Sequence, residues 1–439
     1  MRLLIYFFLV FTTNLVAGQN NFTTVEKTTW LIESKALPIL IPPTESALAT
    51  DAAAIKQKTE NLTEEEIEKI KYWSAGSPSY RWNEFTITLI EKNKRMLESN
   101  RYLSLLNNAV YDAMLVTWKY KDSLKINRPE VYASGLQPLI DDTPSYSFPS
   151  EYSVTATIYA KMLTNFFPTD SLAITQKLKE ANDAVLNSGI HYNADIDAGN
   201  TLGIFISSQF IEYAKHDGSD LKWDGIIPKE EGKWYGENPG VPTFGKWKTW
   251  VLTSGSQFRP AAPDENFVAA EMEKLKAIKH TFDTDKTAYY YAGAMSKLLV
   301  EVVNKKIFEY ELDKDPIATA RIYSLLFISL YEGQVSAWDA KFTYWATRPI
   351  LADPTFVPLL RTPNFPGYPS GHATTAASAA TVLSYLFPAD KDYFETIANE
   401  CAMSRFYGGI HFDIDNTTGL DMGKKIGDEI VKFVKEKNR

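Results

Sequence analysis

The sequence predicts an all-α protein built as two helical bundles. Three observations carry that prediction. Long helical patterns dominate from Phe85 onward, strand-like alternation is scarce, and the second half of the chain repeats the first at a constant offset. The 439 residues are 45% apolar and 13% aromatic, which suits a packed core and is unlike a disordered chain. A net charge of −8 argues against nucleic acid as a partner. Cys401 is the single cysteine, so the chain has neither a disulfide framework nor a zinc-ligand spacing.

In chain order, MRLLIYFFLVFTTNLVAG (residues 1–18) has one Arg, a short apolar run and small residues before a cleavage point, and reads as a signal peptide. The protein is therefore expected to be secreted or periplasmic. No later stretch is long and apolar enough for a span, so no membrane span is expected in the mature chain. Residues 19–80 read as an N-terminal arm, loose to about residue 60, with a helix start in NLTEEEIEKIKYW, where acidic residues fill the first turn. Helices are predicted over 85–97, 100–120, 150–166, 171–187, 195–215, 264–281, 286–309, 315–340, 370–386, 390–407 and 416–436. Residues 81–216 form the first helical repeat, 217–299 an aromatic-rich loop with connecting helices, and 300–439 the second repeat. The irregular stretch 217–263, rich in Trp, Gly and Pro, is long enough to shape or close over a pocket.

The repeat appears when the chain is slid by 220 residues. WKYKDSLKINRP from Trp118 then lies over WDAKFTYWATRP from Trp338, and SGIHYNADIDAG from Ser188 over GGIHFDIDNTTG from Gly408. The register holds without a gap from about Arg101 to Gly203, with roughly a quarter of positions identical. It predicts two bundles in a pseudo-twofold arrangement. It also separates scaffold from chemistry, because features in one repeat only need a reason beyond folding. Lys121, Arg128, His191 and Asp195 match Lys341, Arg348, His411 and Asp415, but Ser150-Glu151-Tyr152 stands where the second repeat has Ser370-Gly371-His372, and Ala184-Val185 where it has Ser404-Arg405. The site is therefore expected in the second repeat, with the first a degenerate partner.

There, Lys341, Arg348 and Arg405 supply three positive charges and forked N–H donors suited to a tetrahedral oxyanion. The Ser370 hydroxyl and Gly371 amide add donors at a helix N-terminus. Asp415, four residues after His411, can fix the tautomer of that ring and free its other nitrogen. His372 is placed to exchange protons with a bound oxygen. Together they describe a pocket for phosphate or an isosteric oxyanion such as vanadate.

The pattern K-x6-RP, PSGH and SR-x5-H-x3-D resembles the superfamily of type-2 phosphatidic acid phosphatases and vanadium-dependent haloperoxidases. The likeness covers roughly residues 80–439, and the duplicated arrangement looks most like the haloperoxidase branch. The resemblance implies a haloperoxidase that oxidises halide with hydrogen peroxide, with vanadate as cofactor and His411 as its axial ligand. Lys341, Arg348, Ser370, Gly371 and Arg405 would hold the equatorial oxygens, His372 would be the acid–base residue, and Asp415 would orient His411. Trp338 and Phe365 match positions that lean toward a chloroperoxidase-like pocket, although Trp118 shows that the Trp also serves the scaffold. The alternative is a secreted acid phosphatase with no cofactor, hydrolysing a phosphate ester through a phosphohistidine at His411. A homodimer is compatible with either. Arg259, in GSQFRPAAP, is a further candidate to reach over the site, while His216, His280 and Cys401 lack motif partners.

Overall fold

Fifteen α-helices build the described residues: α1 Glu45–Thr59, α2 Glu64–Ser74, α3 Tyr80–Lys92, α4 Ser99–Leu124, α5 Glu151–Phe166, α6 Ser171–Asn187, α7 Asn193–Ala214, α8 Phe267–Lys276, α9 Phe282–Tyr290, α10 Met295–Glu309, α11 Pro316–Tyr344, α12 Pro349–Ala352, α13 Gly371–Leu386, α14 Lys391–Tyr407 and α15 Asp413–Lys437. They are those of a computed structural model that describes residues 28–33, 36–140, 145–264 and 266–437. The signal peptide expected at residues 1–18 lies outside them. Among the described residues the only β pairing is one isolated bridge, Lys233 with Ala346. No helix there is long and apolar enough to cross a membrane.

The long helices α4 and α11 pack against each other at the centre, with α5–α7 gathered about the first and α13–α15 about the second. One apolar core runs through both halves, from Leu103 and Tyr159 to Leu326 and Ile426. Local chemistry sets the helix starts. The Ser150 and Ser370 hydroxyls cap α5 and α13 by accepting from Ser153 N and Ala373 N. Asp315 caps α11, whose first residue is Pro316. Small residues then let helices meet closely. A Cβ on Gly423 of α15 would stand 2.3 Å from Thr374 O of α13, and one on Gly203 of α7 would stand 2.8 Å from Val154 O of α5. This contact seats the start of α15 beside Ser370, whose amide donates to Asp415 O at 2.8 Å.

The offset of 220 recurs in detail. Helices α5, α6 and the start of α7 fall 220 residues before α13, α14 and the start of α15, and α4 and α11 both end on a left-handed residue, Lys125 and Trp345. The correspondence also reaches the segment expected to be a loose arm. Trp30, Leu31 and Ile32 donate their amides to the buried carboxylate of Asp112, and Trp250, Val251 and Leu252 donate theirs to buried Glu332. Helix α1 follows where no element was expected, because its apolar face is only Leu48, Ala52 and Ile55, too sparse to register as a period. The predicted 286–309 helix divides into α9 and α10.

Candidate active site

The three motif segments converge. Lys341 lies in the last turn of α11, Arg348 precedes α12, Ser370 and Gly371 open α13, Arg405 lies near the end of α14, and His411 and Asp415 flank the start of α15. Lys341, Arg348, Ser370, Arg405, His411 and Asp415 are buried, while Gly371 and His372 are half-buried. Lys341 Nζ donates to Pro366 O at 2.9 Å and Gly367 O at 2.5 Å, leaving its third N–H for the site. Arg348 Nε donates to Phe365 O, and its Nη1 to Ile410 O at 2.6 Å and to His411 Nε2 at 2.9 Å. Arg405 is held by Ser404 Oγ and Ala288 O.

These contacts fix the tautomer of His411. Arg348 can only donate, so Nε2 is the lone-pair nitrogen and Nδ1 carries the proton, given to Asp415 Oδ2 at 2.8 Å. Asp415 Oδ2 also accepts from Phe412 N at 3.1 Å. Burial, then the charges of Arg348 and Lys341, hold His411 well below its ordinary pKa, so the ring stays neutral. Burial pushes Asp415 up to about 7 against the pull of Lys341, Arg348 and the Phe412 amide. Burial first, then the Arg405 charge, keeps His372 below its usual value. His372 Nε2 donates to Gly293 O at 3.1 Å, and its ring lines the same cavity as His411.

Two features show that the donors lack an acceptor. Arg348 Nη2 is buried with no hydrogen-bond partner among the described residues. Gly371 puts no side chain over these donors, and an added Cβ would press on Trp338 at 3.3 Å and stand 3.8 Å from Lys341 Cε. Three buried cations face a single carboxylate, Asp415. An excess of desolvated positive charge fits an oxyanion such as vanadate. A cavity of about 310 Å³ opens over His372 and His411, with Met96, Leu97, Trp338 and Phe365 as apolar wall.

Some expectations fall elsewhere. Arg259 forms a two-pronged pair with Asp339 at 2.6 and 2.8 Å on an exposed flank, and it does not line the cavity. The aromatic loop buttresses the site instead of closing over it. Gly240 O receives the Trp338 indole N–H at 3.1 Å, and Phe244 packs beside that ring. Cys401 is buried, 3.3 Å from Met295 Sδ. The sequence reading missed the wall supplied by Met96, Asn100 and Ala292–Met295. Those residues lie outside every motif, and no local signal marks them.

Residues 388–439 match the family model described as the VCPO second helical-bundle domain. No curated protein matches the chain. Among solved structures, the first bacterial vanadium-dependent iodoperoxidase is similar at a TM-score of 0.59 and 16% identity, over 90% of this chain and 98% of that one. Two structures of a bacterial vanadium-dependent chloroperoxidase are similar at a TM-score of 0.58. The apo form has 13% identity, over 78% of this chain and 93% of that one. The holo form has 14% identity, over 87% and 97%. The chain thus has the helical-bundle fold of the vanadium haloperoxidases. Its three motifs and the matched C-terminal segment agree with the superfamily they resemble.

Proposed function

We propose that the protein is a vanadium-dependent haloperoxidase, oxidising halide with hydrogen peroxide at a vanadate held by His411. The carrying observation is the unmet donor set beside His411: Arg348 Nη2 without an acceptor and the third N–H of Lys341, next to a ring whose Nε2 lone pair accepts only from Arg348 Nη1. Bound vanadate supplies an electrophilic centre at which peroxide becomes reactive toward halide. The protein's part is to bind, orient and move protons. Lys341, Arg348 and Arg405 neutralise the oxyanion, and Ser370 and the Gly371 amide complete the cradle at the positive end of α13. Asp415 keeps the Nδ1 proton in place, so the lone pair stays on Nε2 and would pass from Arg348 Nη1 to the oxyanion when one binds. His372, neutral before an anion enters, would gain proton affinity once negative charge sits beside it and could then accept a proton from peroxide and hold it on the ring. The cavity of about 310 Å³ admits peroxide and halide, and its apolar wall suits a weakly hydrated halide.

The test is bromide and iodide oxidation by purified protein with orthovanadate and peroxide, using His411→Ala as control. Vanadate-dependent turnover lost in the variant is the expected result. No turnover with any halide, together with His411-dependent hydrolysis of a phosphate ester, would replace this reading with the phosphatase.

A further inference from the structure

The corresponding place in the first half is built from the same parts, but it is full. Lys121 Nζ donates to Tyr146 O and to Ser147 O at 3.1 Å, as Lys341 does to Pro366 and Gly367. Arg128 Nε donates to Ser145 O and its Nη1 to Ile190 O, each at 3.0 Å, as Arg348 does to Phe365 and Ile410. His191 Nδ1 lies 3.1 Å from Asp195 Oδ2, as His411 Nδ1 lies 2.8 Å from Asp415 Oδ2. The Ser150 amide donates to Asp195 O, as that of Ser370 does to Asp415 O.

The difference lies in the middle of the cluster. Glu151 stands where the second half has Gly371, and its carboxylate reaches into the cradle. Its Oε2 is 2.8 Å from Lys121 Nζ and 3.4 Å from His191 Nε2, and its Oε1 is 3.6 Å from Arg128 Nη2. Arg128 Nη2 also donates to Ser145 Oγ at 2.8 Å, where the second half offers Phe365 and no hydroxyl. All four charged side chains are buried: Lys121, Arg128, Glu151 and Asp195. Burial alone would raise the Glu151 carboxyl, but Lys121, His191 and Arg128 outweigh it and hold the group well below the usual carboxylate range. Beside the cluster opens a cavity of about 950 Å³ whose lining includes Lys121, Arg128, Ser145 and Tyr146.

We propose that the first half carries a second oxyanion site of the same construction, occupied by the chain's own Glu151 carboxylate. The two Glu151 oxygens take the place of oxyanion oxygens between Lys121, Arg128 and His191. One residue therefore limits the chain to a single open site. Removing that side chain should uncover a site for a tetrahedral oxyanion, phosphate or vanadate, weaker than the second-half site because Val185 replaces Arg405. The inference shares with the proposed function the reading that the second-half cluster takes an oxyanion.

The test uses the full chain in a His411→Ala background, which takes the imidazole out of the second-half site. Vanadate and inorganic phosphate binding are measured by equilibrium dialysis and by the shift in Tm. His411→Ala alone sets the baseline, counting whatever its remaining second-half cations hold. Glu151→Gly with His411→Ala should bind one equivalent per chain above that baseline and gain several degrees in Tm from added phosphate, but not from chloride at equal ionic strength. Glu151→Gln with His411→Ala, which keeps the plug and drops its charge, should bind none above it. Should the glycine variant fold only in phosphate, that rescue is itself the expected binding. A folded glycine variant that ignores both anions overturns the proposal. So does a His411→Ala chain that still binds vanadate through Lys121 and Arg128, a result that needs no glycine variant. A wild-type chain that binds no oxyanion, beside a glycine variant that does, would count against the proposed function and leave this inference standing.

Discussion

The two halves present nearly the same backbone and the same four residue types, yet one cluster is electrically closed and the other open. In the first, Lys121 and Arg128 face Glu151 and Asp195, and every strong donor has a nearby protein acceptor. In the second, Phe365 and Gly371 replace Ser145 and Glu151, Arg405 adds a third cation, and Arg348 Nη2 is stranded. A scaffold that tolerates two buried cations does not reveal function by itself, since the first half does as much with an internal carboxylate. Function shows as the acceptor that is missing.

The largest expected effect comes from closing the open site. Gly371→Glu should place a carboxylate between Lys341 and Arg348 as Glu151 lies between Lys121 and Arg128. Each charge-assisted hydrogen bond displaced from a bound oxyanion is worth about 1.5–3 kcal/mol, so losing two weakens vanadate binding by at least about a hundredfold. The fold should survive, because the added charge neutralises buried cations. Equilibrium dialysis and a thermal melt decide this together. Unchanged vanadate affinity in a folded variant would break the equivalence of the two clusters.

The next effect separates a positioning carboxylate from a scaffold one. Asp415→Asn should weaken vanadate binding and turnover by about 10–100-fold, the usual cost of losing the partner that orients a ligating imidazole. Asp195→Asn should leave both within a few-fold, since His191 faces Glu151 and not a solute. Equal losses in the two variants would mean that both act through stability alone, which the melts would expose.

A third contrast concerns the clamps. Burial pushes both Asp112 and Glu332 up to about 7, against three backbone N–H groups each. A carboxyl raised in the folded state binds its proton more tightly there than in the unfolded chain. Its contribution is therefore present below the unfolded pKa and is lost as pH rises toward about 7. Urea melts should show stability from these groups falling between about pH 4 and pH 7 by on the order of 1–3 kcal/mol. Asp112→Asn and Glu332→Gln should each flatten that slope. A slope unchanged in both would show that the carboxylates stay ionised in the fold.

How much of this was legible in the sequence differs by region. The motif residues were, because the spacings of Lys341, Arg348, Ser370, His411 and Asp415 are set by helix ends that the sequence marks with Pro, Ser and Gly. The contrast between Glu151 and Gly371 was visible as letters, but the carboxylate's reach into the cradle was not. A side chain at a helix start can turn to solvent or inward, and only packing decides. The clamp was missed for a similar reason. TWLI at residues 29–32 repeats as TWVL at 249–252, but the intervening segments differ so much that the offset is hidden until Asp112 and Glu332 are seen holding equivalent amides.

The smallest expected effect tests whether the aromatic loop reaches the site by charge or through packing. Arg259 is the loop's obvious charged candidate, yet its guanidinium is spent on Asp339, on a flank where water screens the pair. Arg259→Ala should cost about 0.2–1 kcal/mol of stability and leave vanadate affinity and turnover within about threefold. The loop's influence instead runs through Gly240, whose carbonyl holds the Trp338 indole against the Gly371 cradle. Trp118, 220 residues earlier, stands beside Lys121 in the closed cluster, with Lys121 Nζ 5.7 Å from its ring. If Arg259→Ala lowered turnover more than Trp338→Phe does, the loop would act on the reaction by its charge. The open cluster would then differ from the closed one in a way that the side chains around Lys341 do not contain.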